Sequence, residues 1–285
     1  MESRKKRGWI NSDDLKPFKD FESDDLITML SDKDPQKRTI AATLLNEGIV
    51  EDDNDKKHII VSLLKSSKRE KTLYSRMAIF ESLVSYGELS VPYLIKLLGV
   101  IGSNQEKQLP KKYFNKKSFP LPRDLAARTL AKMGNTPIPY LVELLKDNNI
   151  TNFKKEQALD VIGAIAYKYN DHRAFDSIND LFANIGSEDF NKEPTTVLVW
   201  KIVRSLSGFK NNMNALNLVI NVFKRFDHVN EIQWEVIRSI GQIGIVNTEV
   251  QLIFENFDNR FYDDGCYVDS QIKLALKVSK NSLDL

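Results

Sequence analysis

Apolar residues recur at helical spacing along most of the chain, and polar residues fill the positions between them. Tyr140, Leu141, Leu144 and Leu145 are one example. Residues spaced i, i+1, i+4 and i+5 form one stripe on a helix with 3.6 residues per turn. We find no segment with the two-residue alternation of a half-buried strand. The pattern therefore predicts an all-α chain.

One internal repeat is visible without any gap. Residues 76–98 read RMAIFESLVSYGELSVPYLIKLL, and residues 123–145 read RDLAARTLAKMGNTPIPYLVELL. The two stretches lie 47 residues apart and are identical at eight of 23 positions. Self-similarity at such a period indicates stacked supersecondary units.

Glycine and proline divide each of these units into two helices. Gly87 and Gly134 stand at equivalent positions, and each predicts a helix end, because glycine readily takes the left-handed conformation. Pro92 and Pro139 predict the start of a second helix, where the missing N–H is not needed. Ser90 and Thr136 are candidate N-caps for the helices that follow them. A lone helix pair cannot bury both faces, so we expect the pairs to stack.

Weaker copies extend the pattern towards both ends. Helix pairs are predicted over 152–185, 195–226 and 230–257, and one last helix over 267–279. The spacings between successive apolar anchors are 39, 47, 32, 44 and 34 residues, within the range of helical repeats. These anchors are Leu44, Leu83, Leu130, Ile162, Leu206 and Ile240. The sequence thus predicts an α-α superhelix, a solenoid of antiparallel helix pairs over residues 20–280.

Residues 30–48, LSDKDPQKRTIAATLLNEG, resemble the HEAT repeat, in particular the short type found in phycobilisome lyase subunits. The resemblance implies an armadillo-like α-solenoid. It also implies structural roles, since in the family the Asp of this motif, here Asp32 or Asp34, and the arginine, here Arg38, tie neighbouring repeats together. The proline, here Pro35, starts the first helix. Lys37 departs from the family, which usually has an apolar residue at this position.

Two further regions complete the predicted organisation. Residues 1–19 form an N-terminal tail with a basic cluster at positions 4–7. Residues 103–122 form a basic, aromatic insertion between the two matching units. Pro110, Pro120 and Pro122 oppose a continuous helix through the insertion. We therefore expect an exposed excursion whose deletion leaves the fold intact.

The formal charge of +2 over 285 residues conceals an asymmetry. Residues 1–135 have 25 basic and 19 acidic residues, a balance of +6, and residues 136–285 have 16 and 20, a balance of −4. Neither half has the strongly basic balance of a dedicated nucleic-acid binder. No apolar run approaches the roughly 20 residues of a membrane helix, and no apolar signal region follows the basic start. We expect a cytoplasmic protein without a membrane partner.

The residue types of known catalytic and metal sites do not occur at the required spacing. His58, His172 and His228 are too far apart in the sequence to form a metal-ligand motif, and Cys266 is the only cysteine. Neither a Walker loop nor a GxGxxG motif is present. The sequence predicts no cofactor, no metal site and no catalytic group.

The first candidate binding site lies in the insertion. Lysines interleaved with aromatic residues suit phosphates and stacked bases, or an acidic peptide. The alternative is that the aromatic side chains pack back onto the solenoid. The candidate residues are Lys111, Lys112, Tyr113, Phe114, Lys116 and Lys117.

The second candidate is a pair of Trp–Arg motifs 34 residues apart, Trp200 with Arg204 and Trp234 with Arg238. At 100° per residue, each motif lies off the centre of the buried stripe. Two such motifs on adjacent repeats would form a surface ladder for cation–π or peptide contacts. The alternative is that each tryptophan packs on the neighbouring repeat and each arginine neutralises a carboxylate.

The leading functional hypothesis is a non-catalytic scaffold or adaptor that binds a protein through the solenoid surface. The alternative is nucleic-acid binding, similar to that of HEAT-like DNA glycosylases for alkylated bases. Such an enzyme needs a carboxylate beside aromatic groups in a basic cleft, and Glu156, Asp160 and Glu235 are the candidates. A third hypothesis, a chromophore-lyase relative, is implied by the short-repeat resemblance alone.

Overall fold

A computed structural model of the chain describes residues 2–111, 118–186, 193–260 and 267–285. The chain divides into two compact units, Met1–Leu97 and Leu98–Leu285. The described residues form helices joined by turns, with no strand among them. The predicted all-α class is confirmed. Within the same ranges, no helix combines the length and the apolar character needed to cross a membrane.

The first unit is built from six α-helices. Helix α3 packs against α2 and α5, and α4 packs against the same two helices. Short 3-10 helices cover Ser12–Phe18, Glu47–Ile49 and Gly87–Ser90. The α-helices are α1 (Glu2–Lys5), α2 (Ser23–Met29), α3 (Pro35–Leu44), α4 (Asp53–Arg69), α5 (Leu73–Ser85) and α6 (Val91–Lys96).

The N-terminal segment, which the sequence suggests is a tail, packs against helices of the first unit. Tyr74 donates its backbone N–H to the carbonyl oxygen of Arg7 at 3.1 Å. Gly8 has a φ of +84°, and a Cβ at this position would lie 2.7 Å from the hydroxyl oxygens of Thr39 and Ser75. Because only glycine fits so close to α3 and α5, residues around position 8 belong to the packed unit.

The second unit has one row of stacked helices and a second row of helices that pack against the first. In the first row, α7, α9, α11, α13 and α15 each contact the next, and in the second row each helix packs against the odd-numbered helix that follows it. This is the predicted α-α superhelix arrangement. The helices are α7 (Leu125–Lys132), α8 (Ile138–Lys146), α9 (Asn152–Tyr169), α10 (Phe175–Ala183), α11 (Glu193–Leu206), α12 (Met213–Arg225), α13 (Asn230–Ile243), α14 (Thr248–Arg260) and α15 (Tyr267–Leu283).

The predicted helix ends agree with the structure except at the two predicted N-caps, Ser90 and Thr136. Gly87 and Gly134 both have positive φ, at +52° and +68°. Pro92 and Pro139 stand in the first turns of α6 and α8. Ser90, however, does not cap α6. Its hydroxyl instead donates to the carbonyl oxygen of Gly87 at 3.0 Å, and so stabilises the preceding turn.

The repeat register is confirmed by burial of its leucines. Leu83 and Leu130, which align in the two matching units, are both fully buried. Leu97 and Leu144, aligned in the second helices, are 7% and 6% exposed. The same face of each unit therefore points into the core.

Glycine allows α9 and the end of α11 to approach closely. A Cβ at Gly208 would lie 2.2 Å from the carbonyl oxygen of Gly163, and a Cβ at Gly163 would lie 2.8 Å from the Cα of Ser205. Real Cβ contacts are longer than this, so backbone meets backbone here. This close packing brings the polar side chains of the two helices within reach of each other.

Candidate functional site

Charged side chains converge in the interior of the second unit, on the first row of helices. Helix α9 contributes two carboxyl groups one turn apart, α11 contributes two cations, and α13 contributes an acid and an arginine one turn apart. All are 5% exposed or less, apart from one residue of the insertion, whose side chain is 11% exposed. We call these residues the buried charged cluster: Glu106, Glu156, Asp160, Lys201, Arg204, Glu235 and Arg238.

Lys201 lies at the centre of the cluster and is fully buried. Its Nζ donates to Asp160 Oδ2 and to Glu106 Oε2, each at 2.6 Å. Arg204 Nη1 donates to the same Glu106 oxygen at 2.6 Å. Burial raises the pKa of Glu106, but the charges of Lys201 and Arg204 outweigh it and hold that pKa at about 2.

Trp200 connects α11 to α13. Its Nε1 donates to Glu235 Oε2 at 2.9 Å, and the guanidinium carbon of Arg204 lies 3.9 Å from the centre of its ring. Glu235 Oε1 accepts a hydrogen bond from Arg238 Nε at 2.8 Å. Indole, carboxylate and guanidinium groups thus form one continuous polar network across the two helices.

This network corrects the hypothesis of a surface ladder. Trp200 and Trp234 are fully buried, and Arg204 and Arg238 are 5% exposed. Both arginines pair with carboxylates, as the alternative interpretation requires. The helical angles correctly predicted that these residues lie off the centre of the apolar stripe. The helices of the first row, however, have neighbouring helices on more than one side. A residue that faces away from one neighbour therefore still faces another.

The described parts of the insertion are not a dispensable excursion. Gln105 is 9% exposed, and its Nε2 donates to the buried Asp124 Oδ2 at 3.0 Å. Phe119 is 9% exposed, and its ring centre lies 5.9 Å from that of Tyr167. Together with Glu106, these residues attach both ends of the insertion to the helices. Deleting 105–119 would remove core contacts, contrary to our expectation.

The lysine-rich candidate site is described only at its first residue. Lys111 is exposed. Lys112, Tyr113, Phe114, Lys116 and Lys117 lie outside the described residues. Their binding role stays a prediction.

Glu156 is the unusual member of the cluster. It is 4% exposed, and among the described residues none forms a hydrogen bond with its carboxyl group. The pKa of Glu156 is raised to about 7, chiefly by burial; the charge of Lys201 lowers it and the charge of Asp160 raises it. The cluster holds four carboxyl groups and three cations. One proton on Glu156 near neutral pH therefore balances the buried charge.

We expect Glu156→Gln to change how stability depends on pH. The pKa of Glu156 rises from its ordinary value of 4.5 to about 7 in the folded chain. The folded state therefore holds the proton more tightly, and this stabilisation is fully present below pH 4.5 and lost as the pH rises through about 7. The wild type should lose about 3 kcal/mol relative to the variant over this range. Urea unfolding of both proteins at several pH values measures the difference, and a difference independent of pH would contradict the assignment.

A pocket of about 530 Å³ opens beside Glu106. Lys107, Lys111 and Arg123 are among its lining residues, so its wall is basic. Arg123 Nε lies 3.2 Å from Glu106 Oε1. Glu106 thus contacts the cations of the cluster with one oxygen and the rim of the pocket with the other.

A second concave surface lies on α14 and α15, the last helix pair. This groove has a volume of about 480 Å³ and is lined by leucines and lysines together with Asp258. Leu274 and Leu285 in the groove are 42% and 46% exposed. The lining residues are Asp258, Ser270, Lys273, Leu274, Leu276, Lys277, Lys280, Asn281 and Leu285.

The described residues contain no group of three His, Cys, Asp or Glu side chains arranged to hold a metal ion. His58 and His228 are exposed. His172 stacks on Phe209 with ring centres 5.0 Å apart. Cys266 lies outside the residues that the structure describes.

The sequence anticipated part of the cluster and missed its centre. Glu156, Asp160 and Glu235, the candidate carboxylates, do come together, with Trp200 beside them. Lys201 and Glu106 were missed. Lys201 is adjacent to Trp200 in the sequence, but no sequence signal distinguishes a buried lysine from a solvated one on an amphipathic helix.

Comparison with known proteins identifies no relative. No protein-family model matches the chain, and no curated protein matches it. Among solved structures, an engineered protein from the Northeast Structural Genomics Consortium matches with 15% sequence identity and a TM-score of 0.36. The match covers 91% of this chain and 98% of the engineered chain. A TM-score of this size supports no inference about the present protein.

Proposed function

We propose that the chain is a non-catalytic scaffold that binds an acidic, amphipathic segment of another protein in the groove between α14 and α15. The observation that supports the proposal is the exposure of Leu274 and Leu285 in a concave surface at the end of the second unit. Exposed apolar residues rimmed by polar ones mark interaction sites.

The charges in the groove indicate the chemistry of the partner. Lys273, Lys277 and Lys280 line it, and among its described lining residues Asp258 is the only acid. Asp258 pairs with Lys280. The remaining excess of positive charge favours a partner with acidic residues beside its apolar ones.

Two features of the first unit support the resemblance to HEAT repeats. Asp34 caps α3 by accepting a hydrogen bond from the backbone N–H of Gln36 at 2.8 Å, and Pro35 is the first residue of that helix. Arg38 donates its Nε to Glu70 Oε2 at 2.7 Å, and so ties α3 to the residue that follows α4. We infer a HEAT-like first unit on this basis. The single cysteine, which excludes an internal disulfide, supports our proposal of a cytoplasmic location.

The groove is tested with a defined probe. We expect a synthetic helical peptide with leucines on one face and glutamates beside them to bind the full chain, and Leu274→Glu to weaken binding about tenfold or more. Fluorescence anisotropy of the labelled peptide measures both affinities.

Two controls make this test specific. Met213→Glu also places an acid at an exposed apolar position, here at the start of α12, and it should leave peptide affinity unchanged. A peptide with lysines in place of the glutamates should bind more weakly than the acidic one. Equal affinity of the wild type and both variants would exclude the groove as the binding site.

Nucleic-acid binding remains a second candidate, because Glu235 accepts a hydrogen bond from Trp200 and the buried charged cluster also contains the carboxyl groups of Glu156 and Asp160. A flipped base would need access to these groups, whereas the cluster is covered by Glu106. Gel shifts with duplex and single-stranded DNA over a range of salt concentrations test the candidate. An affinity that falls with salt would support it, and an absence of any shift at low salt would oppose it.

A further inference from the structure

Glu106 places one carboxylate oxygen against both Lys201 and Arg204. Both cations are buried, and both donate to the same carboxylate oxygen at 2.6 Å. Short hydrogen bonds between charged groups are typical of bound carboxylates and phosphates. Within the second unit, the two cations therefore form a preorganised oxyanion site.

The residue that occupies this site comes from irregular backbone, not from a helix. Glu106 precedes its partners Lys201 and Arg204 by 95 and 98 residues, and residues 102–111 form no helix. Helical partners such as Asp160 are held by the packing of α9. Glu106 is held by its own contacts and those of its neighbours, so it can leave the site without unpacking a helix.

The site borders a cavity of suitable size and charge. The pocket beside Glu106 has about 530 Å³, within the range of small-molecule sites. Lys107, Lys111 and Arg123 lie on its wall, and the side chain of Arg123 is 62% exposed. A ligand in this pocket would meet positive charge on its wall, and only Glu106 would separate it from Lys201 and Arg204.

Arg204 also has donor capacity that Glu106 does not use. Its Nε is buried and forms no hydrogen bond with any described residue. The nearest acid oxygen, Glu235 Oε2, lies 3.7 Å away. This N–H lies near α13, on a different edge of the guanidinium from the Nη1 that holds Glu106.

We propose that Lys201 and Arg204, which lie behind Glu106 as seen from this pocket, form an oxyanion-binding site with Glu106 as its internal occupant. A small ligand that contains a carboxylate or phosphate group takes the same position when Glu106 is displaced. This site is separate from the groove between α14 and α15, and each can be tested without the other.

The test is rescue of Glu106→Ala by added anions. Removing the carboxylate leaves two buried cations beside an enlarged pocket, so Tm should fall. Phosphate or acetate should then raise Tm of the variant by about 2 °C or more at a tenfold excess over Kd, through preferential binding to the folded state. The wild type should respond less, because Glu106 competes for the site. Sodium chloride at matched ionic strength separates binding from screening. The more effective anion identifies the preferred group.

Two further variants complete the test, one as a control at an exposed acid and one as a conservative replacement of Glu106. Glu143→Ala removes an exposed acid paired with Lys146 on α8 and should show no anion-specific gain. Glu106→Gln retains the shape of the side chain and preserves the fold if the alanine variant does not fold. Calorimetry should show phosphate binding to Glu106→Gln about tenfold tighter than to the wild type. Rescue by chloride equal to that by phosphate and acetate, or no binding to Glu106→Gln, would overturn the proposal.

Discussion

Replacing Lys201 by methionine should destabilise the second unit by about 3–5 kcal/mol, the range for breaking a buried ion pair from one side. The volume is nearly conserved, so the loss arises from electrostatics and not from a cavity. Asp160 is 3% exposed and would lose its hydrogen bond from the ammonium group. Glu106 would retain only its contacts with Arg204 and Arg123. Urea unfolding at neutral pH measures the loss.

An exposed lysine, Lys224, serves as a control that shows whether burial of Lys201 causes the loss of stability. Lys224→Met removes an ammonium group from an exposed pair with Glu249 on the same unit, and it should cost less than about 1 kcal/mol. The loss caused by Lys201→Met should also shrink as the pH falls, because protonation of Asp160 removes the uncompensated charge. Equal effects of the two substitutions would mean that Lys201 is not buried among carboxylates.

The second large effect is expected at the aligned leucines of the repeat. Leu83→Ala and Leu130→Ala should each cost about 2–5 kcal/mol, because both side chains are fully buried and their removal leaves cavities. The spread within this range depends on how far the neighbouring helices collapse into the space. Denaturant unfolding measures both, and the two units of the chain are followed separately if they unfold in separate steps.

Leu121→Ala is the control for this pair. Leu121 is 74% exposed, so the same chemical change should alter stability by no more than about 0.5 kcal/mol. If the buried and exposed leucines gave the same result, the stacking of the repeats would be wrong.

Helix pairs and their ends were predictable because their causes are local. An apolar stripe needs only the residues of one helix, and Gly134 ends α7 through its own backbone conformation. Ser90 shows the limit of such reasoning. Its hydroxyl found acceptors in the preceding turn, where geometry and not residue type determines which hydrogen bond forms.

The insertion shows a different limit. Its lysines and prolines favoured a solvated loop, yet Gln105, Glu106 and Phe119 are packed against helices. The prediction of a loop used the average composition of the insertion. Three buried residues among twenty have little effect on that average. Whether the segment packs against the helices depends on the residues that these three side chains contact.

The sequence alone determined the all-α class, the helix pairs, the positions of most helix ends and the buried face of each repeat. These follow from periodicities and turn residues that act within a few positions. The tertiary structure alone decided that Lys201 is buried, that Glu106 neutralises it from 95 residues away, and that the Trp–Arg motifs face the interior. A charged side chain is buried only where groups of opposite charge contact it. The stacking of α9, α11 and α13 determines which of these groups come into contact.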